Sequence, residues 1–178
     1  MDSDGELEAL MASYQHGDGT AAAALIERLS PPLHRFFLAQ TISGRHADDL
    51  LQETWLRLHQ VRHTYRPGEP VLPWLYAIAR HIRVDHFRRT RRLEAREQPL
   101  EKLPERAGAA RPAGGGPDVE AALRELPESQ REVIVMLKVS GMSLEEVARA
   151  TSTSVGSVKQ KAHRAYEKLR SLLAEEGR

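Results

Sequence analysis

The segment from Ser143 to Arg170 constrains the fold of this chain more than any other segment. Ser143 followed by Glu146 is a capping-box pattern, which predicts that a helix begins there. The TSTS run at 151–154 predicts a turn, because short hydroxyl side chains bond to nearby backbone groups. Ser154 can then cap a second helix. Two helices joined by a tight polar turn are typical of a helix-turn-helix.

The second predicted helix, from Val155 to about Leu173, has one apolar and one polar face. At 100° per residue, six aliphatic side chains share a side: Val155, Val158, Ala162, Ala165, Leu169 and Leu172. Between Lys159 and Arg170 there are five basic residues and one acidic residue. This one-sided charge favours DNA binding, in which the second helix enters the major groove. A helical hairpin with a solvated basic face is the plain alternative.

Composition limits the class of protein. The chain has 178 residues, of which 40% are hydrophobic and 29% charged, so it can form one domain or two small ones. It has no cysteine, which excludes disulfides and thiolate metal sites and fits a reducing cytosol. No apolar run approaches the roughly 18 residues of a membrane span. The first ten residues are acidic, unlike a signal peptide, and we expect a cytoplasmic protein.

The rest of the chain has helical periodicity and no strand pattern, which predicts an all-α fold. Residues 94–118 contain RAGAARPAGGGP, a composition typical of a flexible linker. We therefore expect two small helical domains, 1–93 and 119–178, the second containing the helix-turn-helix. A linker of ~25 residues reaches roughly 80 Å at full stretch. The two domains could then lie about two DNA turns apart, near 68 Å.

Prolines predict two interruptions in the N-terminal domain. Ser30 can cap a helix that Pro31 opens, so a helix is expected to end there and another to begin. The segment Tyr65–Pro73 contains three prolines and a glycine, which predicts a loop. A long helix is expected to follow from Trp74.

The segment Arg80–Arg92 is a second basic block, with six arginines and one aspartate. An exposed arginine-rich helix is common, but two basic helices in separate domains are better explained together by DNA. Such binding should weaken with salt, with a log–log slope near −0.9 per phosphate contacted. Aromatic residues near this block, such as Tyr65 and Trp74, could stack on unpaired bases. For Trp74, a place in the core is an equally good interpretation.

The sequence shows no catalytic or metal-binding arrangement. Its eight histidines are scattered, and no HExxH motif is present. Asp48, Asp49 and Glu53 could be imagined as catalytic carboxylates, but no nucleophile or phosphate loop accompanies them. They are better interpreted as an acidic helix face for a protein partner. We expect no enzyme activity, no cofactor, no metal and no small-molecule substrate.

Three segments together resemble the extracytoplasmic-function (ECF) subgroup of bacterial RNA polymerase sigma factors. ADDLLQETWLRL, residues 47–58, resembles the part of region two that docks on the polymerase clamp helices. WLYAIARHIRVDHFRR, residues 74–89, resembles the promoter-melting and minus-ten-reading segment. Residues 126–169, from LPESQRE to the GSVKQKAHRA helix, resemble region four. Three such segments in this order are highly specific to the subgroup.

The resemblance implies three sets of contact residues. Core polymerase would contact Asp49, Gln52 and Glu53. The loop Tyr65–Pro73 would capture a flipped minus-ten base, and the minus-ten set is Tyr65, Trp74, Arg80, His81, Arg83 and Arg88. The minus-thirty-five set is Ser157, Lys159, Gln160, Lys161, His163 and Arg164. His81, the VLP at 71–73 and Gln160 depart from the usual family residues, which bears on promoter preference.

The resemblance also implies partners. A sigma factor binds core RNA polymerase and promoter DNA, and this subgroup is controlled by an anti-sigma factor that is often membrane-bound. The alternative function is a stand-alone two-domain helix-turn-helix regulator that binds duplex DNA without polymerase.

Overall fold

The computed structural model describes residues 3–41, 46–96 and 117–176, which form helices and no strands. The all-α prediction is therefore confirmed for these ranges. The helices are α1 (Ser3–Gln15), α2 (Gly19–Gln40), α3 (Ala47–Val61), α4 (Val71–Arg96), α5 (Pro117–Arg124), α6 (Glu128–Lys138), α7 (Leu144–Thr151) and α8 (Val155–Glu176). A short 3₁₀ turn, Arg62–Thr64, follows α3. Residues 97–116, the middle of the predicted linker, lie outside the described residues.

The N-terminal half, α1–α4, packs around an aliphatic and aromatic core. Met11, Leu33, Leu50 and Leu75 have no exposed surface, so each of the four helices contributes to it. The Phe36 ring meets the Tyr76 ring edge-on at 5.2 Å between centroids, and Phe37 packs beside Phe36. Edge-to-face aromatic pairs add to the stability that burial of their apolar surface supplies.

The predicted break at Ser30-Pro31-Pro32 is wrong, because α2 continues through both prolines. The apolar stripe of Leu25, Leu29 and Leu33 stays in helical register on either side of them and is buried. Burial of this stripe outweighs the backbone hydrogen bonds that the prolines cannot make. Ser30 does not start a helix. Its hydroxyl instead accepts a hydrogen bond of 3.0 Å from the indole N–H of Trp55 on α3.

The predicted loop Tyr65–Pro73 is shorter than expected, because α4 begins at Val71. Pro73 lies in the first turn of α4, where the backbone N–H groups have no partner within the helix. A proline therefore costs little at this position. Val71 and Pro73 are buried, which holds the start of α4 against the core.

The predicted helix-turn-helix is confirmed, with α7 and α8 as its two helices. The Ser143 hydroxyl accepts from the Glu146 N–H, and the Glu146 carboxylate accepts from the Ser143 N–H, which completes the capping box. Ser152 ends α7 in the left-handed conformation with φ 52°. The Ser154 hydroxyl accepts a 3.1 Å hydrogen bond from the Ser157 N–H and so caps α8, as predicted.

The C-terminal half, α5–α8, lies directly against the N-terminal half. Helix α7 packs on α4, and α6 packs on α2. The buried apolar residues of both halves form one continuous cluster, in which Val133, Val135 and Val147 represent the C-terminal half. No helix in the described ranges is long and apolar enough to cross a membrane.

Candidate DNA and polymerase interface

The polar face of α8 is exposed to solvent, and its apolar face is buried in the core. Val158, Ala162 and Ala165 are buried, as the predicted apolar stripe requires. The predicted minus-thirty-five residues lie on the other side. Lys159, Gln160, His163 and Arg164 are exposed, and Ser157 and Lys161 are half-buried. A rigid helix with exposed basic and amide side chains has the shape and charge that the major groove accepts.

Contacts with the rest of the C-terminal half hold α8 in place. The Lys168 ammonium donates to the backbone carbonyl of Glu125, just after α5, at 2.5 Å. The Lys138 ammonium lies 5.9 Å from the centre of the Tyr166 ring. Within α8 itself, His163 approaches Glu167 at 3.4 Å, one turn further along. Lys168 is thus held against the end of α5, while Lys159, Gln160 and Arg164 remain exposed.

The predicted polymerase-binding residues lie on the outer face of α3. Leu50, Thr54 and Leu58 point inward and are buried. Asp49 and Gln52 are exposed, and Glu53 is half-buried with its carboxylate 3.4 Å from the Arg89 guanidinium. Leu56 is 65% exposed on the same helix. An exposed apolar side chain with polar groups around it is compatible with a protein interface, in which a polar rim surrounds an apolar centre.

Tyr65, predicted to help capture a base, is buried instead. Only 3% of its surface is exposed, and its hydroxyl donates to the Glu69 carbonyl at 2.5 Å. Its ring lies 5.4 Å from that of Trp74, and its own carbonyl accepts from the Gln15 side-chain amide at 2.8 Å. Burial raises the pKa of Tyr65 to about 12, so the hydroxyl stays protonated. In this arrangement Tyr65 shapes the loop.

Trp74 is half-buried and packs against the hydrophobic cluster. Its ring rests on Tyr65, so one side of the indole belongs to the core. The structure therefore agrees with the interpretation of Trp74 as a core residue. Part of its side chain remains accessible beside the loop.

Two of the predicted minus-ten arginines are bound to the C-terminal half. Arg80 donates from Nε to Glu132 at 2.8 Å, and from Nη1 to the Ala150 carbonyl at 3.2 Å. Arg83 approaches the same Glu132 oxygen at 3.5 Å and donates to Glu128 at 2.5 Å. The Arg83 and Glu132 side chains are only 4% and 6% exposed. We call this contact between α4 and helices α6 and α7 the inter-half seam.

Two further contacts extend the seam. The buried Tyr76 hydroxyl donates to the Ser140 hydroxyl at 2.6 Å, just after α6. Burial raises the pKa of Tyr76 to about 12, so this donor is protonated at neutral pH. Arg149 on α7 lies 3.5 Å from Glu69 in the loop before α4. Both halves thus contribute polar groups to a contact that reaches the loop.

The remaining predicted minus-ten residues, His81 and Arg88, are exposed. Of the predicted set, Arg80 and Arg83 therefore contact the C-terminal half, whereas His81 and Arg88 are exposed to solvent. Sequence reasoning missed Glu128, Glu132 and Ser140 as seam residues. A carboxylate directly before the apolar run of α6 was the available signal, because a buried charge needs a partner. Nothing in the sequence indicated which arginine that partner would be.

A cavity of about 580 Å³ lies at one end of the seam. Among the described residues, the buried side-chain polar atoms without a hydrogen-bond partner all belong to residues that line it: Gln40 through both amide atoms, Arg83 and Arg131 through Nε, and His86 through Nε2. Burial lowers the pKa of His86 and of Arg131. Such unsatisfied groups are rare in protein interiors. A polar cavity of this volume is large enough to hold water that pairs with these atoms.

Family models match both halves of the chain. Sigma-70 region 2 matches residues 25–93, and Sigma-70 region 4 matches residues 118–169. The first range contains α3 and most of α4, and the second contains the helix-turn-helix. The resemblance that the sequence motifs indicated is thereby confirmed.

Similar proteins extend over nearly the whole chain. The RNA polymerase sigma factor CarQ of Myxococcus xanthus is 34% identical, and the match covers 93% of this chain and 96% of CarQ. The ECF sigma factor SigD of Mycobacterium tuberculosis is also 34% identical, over 96% of this chain and 85% of SigD. SigF of Caulobacter vibrioides, another ECF sigma factor, is 33% identical and covers 94% of each chain.

Solved structures agree with this similarity. CnrH, bound to the cytosolic domain of CnrY, superposes with a TM-score of 0.73 and 28% identity over 96% of this chain and 98% of CnrH. The sigma factor RpoE of Bartonella quintana, bound to the anti-sigma factor NepR, has a TM-score of 0.70 at 24% identity over 84% of this chain and 94% of RpoE, which shows a common fold. The stand-alone regulator is not favoured by these matches. The chain belongs to the ECF group of RNA polymerase sigma factors.

Proposed function

We propose a division of tasks between the two halves of this sigma factor. A sigma factor binds core RNA polymerase, directs it to promoters and performs no covalent chemistry. In this chain residues 119–178 would read the minus-thirty-five element, and residues 1–93 would bind the polymerase clamp and the minus-ten element. The observation that carries this proposal is the exposed basic face of α8, held rigid by its buried apolar stripe.

At the minus-thirty-five element, charge and hydrogen bonding have different tasks. Lys159, Lys161 and Arg164 supply positive charge for phosphates or guanine edges, and phosphate contacts set the register of the helix on the duplex. Gln160 presents an amide that can pair with an adenine edge in the major groove. His163 and Ser157 lie on the same side of α8 and complete the surface.

At the minus-ten element, the exposed residues His81 and Arg88 would contact DNA directly. Arg80 and Arg83 would join them only after leaving their carboxylate partners in the seam. Tyr65 and Trp74 would act by shaping the loop that ends at Val71. This assignment keeps all six predicted residues, with different roles.

At the polymerase clamp, the outer face of α3 would bind through Asp49, Gln52 and Glu53. These side chains are exposed or half-buried while the two halves are packed together. The clamp surface is thus available without any rearrangement of the chain. Because the protein must meet core polymerase, we propose that it acts in the cytoplasm.

We also propose that an anti-sigma factor binds this protein. CnrH, whose match covers 96% of this chain, is bound to the cytosolic domain of CnrY. RpoE of Bartonella quintana is bound to the anti-sigma factor NepR. A partner of that kind would compete for the surfaces assigned above.

Transcription in vitro with purified core polymerase tests the proposal. The promoter fragments would be selected from genomic DNA by run-off transcription with the wild-type protein. We expect Arg164→Ala and Lys161→Ala each to lower promoter-specific transcription roughly tenfold while core binding stays intact, since one good base or phosphate contact contributes about 1–3 kcal/mol. Arg170→Ala, an equal charge change at an exposed residue of α8 that lies outside the assigned set and nearer the C-terminal end of the helix, is the matched control.

Salt dependence provides a second measurement on the same variants. The log–log slope of promoter binding by the polymerase complex should fall in magnitude by about 0.9 for a lost phosphate contact. If neither variant differed from Arg170→Ala in transcription or in salt dependence, the assignment of α8 to the minus-thirty-five element would be wrong. If the wild-type chain neither bound core polymerase nor supported initiation, the sigma-factor function itself would be excluded.

A further inference from the structure

We propose that the cavity at the end of the seam binds a small phosphate ester that carries hydroxyl groups, of about the size of a nucleoside monophosphate. The cavity has a volume of about 580 Å³ and lies between the end of α2, the middle of α4 and the start of α6. Small-molecule sites in proteins usually have volumes of about 300–1,000 Å³. The residues assigned to the clamp and to the minus-thirty-five element do not line this cavity.

The lining of the cavity is basic. Four arginines and one carboxylate take part in it: Arg83, Arg88, Arg91, Arg131 and Glu128. The carboxylate is already engaged, because Glu128 accepts from Arg83 Nη1 at 2.5 Å. No ion pair joins Arg131 to a carboxylate of the described residues. A concave site with this excess of positive charge attracts anions.

Two guanidinium groups are held so that one N–H of each is left for a ligand. Arg83 directs Nη1 and Nη2 to Glu128 and Glu132, and its Nε is buried without a partner. Arg131 donates from Nη1 to the Arg124 carbonyl at 3.4 Å, and its Nε is likewise buried and unpaired. Arginine N–H groups form short charge-assisted hydrogen bonds with phosphate oxygens. A phosphate monoester offers three such oxygens, enough to accept from both arginines and from a further donor.

Gln40 requires a ligand that both donates and accepts hydrogen bonds. It is 3% exposed, and neither its amide nitrogen nor its amide oxygen has a partner. Buried polar atoms of this kind are rare. The amide N–H can donate to a phosphate oxygen, but the amide oxygen needs a donor. A sugar hydroxyl supplies that donor, which favours a sugar phosphate over a bare oxyanion.

Water is the competing occupant of the cavity. It can satisfy the Gln40 amide, because water both donates and accepts. It brings no negative charge to Arg131, which is half-buried. Burial lowers the pKa of Arg131, and the charges of Arg83 and Arg124 lower it further, whereas Glu128 raises it. An anion would compensate these neighbouring positive charges, and water would not.

Part of the cavity wall is apolar. Val84 and Phe87 line it from α4, and both are half-buried. Nucleobases stack on aromatic side chains in many proteins. A lining that combines arginines with a phenylalanine therefore matches the phosphate and the base of one small molecule.

A nucleic-acid strand fits this site less well than a monoester does. The unpaired atoms of Gln40, Arg83 and Arg131 are buried. An internal phosphate of a strand is flanked by nucleotides on both sides, so it must lie in an open groove. The phosphate of a monoester is at the end of the molecule and can reach buried donors.

Isothermal titration calorimetry of the full chain tests the site, with adenosine monophosphate as the probe. We expect it to bind, and adenosine, which lacks the phosphate, to bind at least about tenfold more weakly. Inorganic phosphate, the other source of the same chemistry, should also bind more weakly, since it has neither the sugar nor the base. Tighter binding of inorganic phosphate than of adenosine monophosphate would overturn the assignment to an ester.

Variants of the lining locate the binding. Arg131→Met should weaken binding of adenosine monophosphate about tenfold, because a charge-assisted donor is lost. Arg57→Met, an equal charge change at an exposed residue of α3 outside the cavity, is the matched control. Arg131→Lys retains the charge but not the Nε–H, so its affinity should lie between the wild-type and Arg131→Met values. It also serves if Arg131→Met does not fold. Gln40→Leu should weaken binding about fivefold, the effect of one lost hydrogen bond.

Thermal unfolding is the second readout. A ligand that contacts α2, α4 and α6 stabilises the folded chain by mass action. At about a hundred times its Kd, adenosine monophosphate should raise Tm by roughly 5–10 °C. Arg131→Lys should show a smaller rise at the same concentration, and Arg57→Met the full rise.

The contrary outcomes are equally specific. Absence of binding by adenosine monophosphate, or equal affinity for adenosine, would overturn the inference. Equal losses in Arg131→Met and Arg57→Met would place the binding outside the cavity. Binding of a single-stranded oligonucleotide without binding of adenosine monophosphate would identify a nucleic-acid site and would also overturn it. These assays contain neither polymerase nor promoter, so their result is independent of the sigma-factor function.

Discussion

Glu132 shows how one buried carboxylate can link two parts of a chain. It is 6% exposed on its side chain and receives contacts from both Arg80 and Arg83. A buried charge is tolerated only when it is paired, and loss of one partner leaves the other uncompensated. Both arginines are therefore needed to compensate the Glu132 carboxylate in the packed arrangement.

His86 leads to a prediction on pH. Its pKa is lowered from 6.5, first by burial and then by the charge of His46, whose ring lies 4.6 Å away. Arg89 lowers the pKa further, whereas Glu53 and Asp49 raise it. The unfolded chain takes up this proton near pH 6.5 and the folded chain only at lower pH. Protonation therefore favours unfolding, and His86 reduces stability as the pH falls below about 6.5.

Urea unfolding at two pH values checks this prediction. We expect the free energy of unfolding to fall less between about pH 7.5 and 5.5 in His86→Gln than in the wild-type protein. The other seven histidines are common to both proteins, so the difference isolates His86. Equal losses of stability in the two proteins would contradict the assignment of this pH dependence to His86.

Helix α2 shows that an apolar stripe can override local backbone preferences. Pro31 and Pro32 lack N–H groups, so two hydrogen bonds of an ordinary helix cannot form. The stripe from Leu25 to Phe37 is buried, and the core of the N-terminal half depends on its continuity. Helix α7, by contrast, follows local backbone preferences. It is eight residues long, and the capping box specifies where it begins.

The cap of α7 is open to a direct test. Ser143→Ala removes the hydroxyl that accepts from the Glu146 N–H at 3.2 Å. We expect it to lower the free energy of unfolding by about 1 kcal/mol, the usual effect of losing an N-cap. Ser171→Ala in α8 is the control for a serine that lies outside a cap. Equal stability of the two variants in urea unfolding would show that tertiary packing alone places α7.

At the scale of the whole molecule, the two halves behave as one packed unit in this structure. Their buried apolar residues form one cluster, and the seam adds ion pairs and the Tyr76–Ser140 hydrogen bond. Contacts of both kinds make the stability of each half depend on the other.

Calorimetry tests this coupling. We expect the wild-type chain to unfold in a single transition, with the calorimetric enthalpy equal to the van't Hoff enthalpy. Glu128→Lys should broaden the transition or divide it in two, because the weakened seam lets the halves unfold separately. Two transitions in the wild-type protein would mean that the halves are already independent.

Sequence alone determined the features that depend on neighbours along the chain. The capping box at Ser143, the turn at 151–154 and the two faces of α8 could all be read because helix periodicity and capping are local. The family motifs at 47–58 and 74–89 were recognisable for the same reason. The outer face of α3 also follows from spacing, since Leu50 and Leu58 are buried and Asp49 is exposed.

Tertiary structure alone decided the features that join distant segments. Pro31 and Pro32 remain inside α2 because the buried stripe spans them. Tyr65 turns inward because Trp74 and Gln15 surround it. Arg83 can be buried because Glu128 and Glu132, 45 and 49 positions away, pair with it. A charged side chain shows no preference in sequence between solvent, DNA and a carboxylate, and only the packing of α6 and α7 on α4 selects its partner.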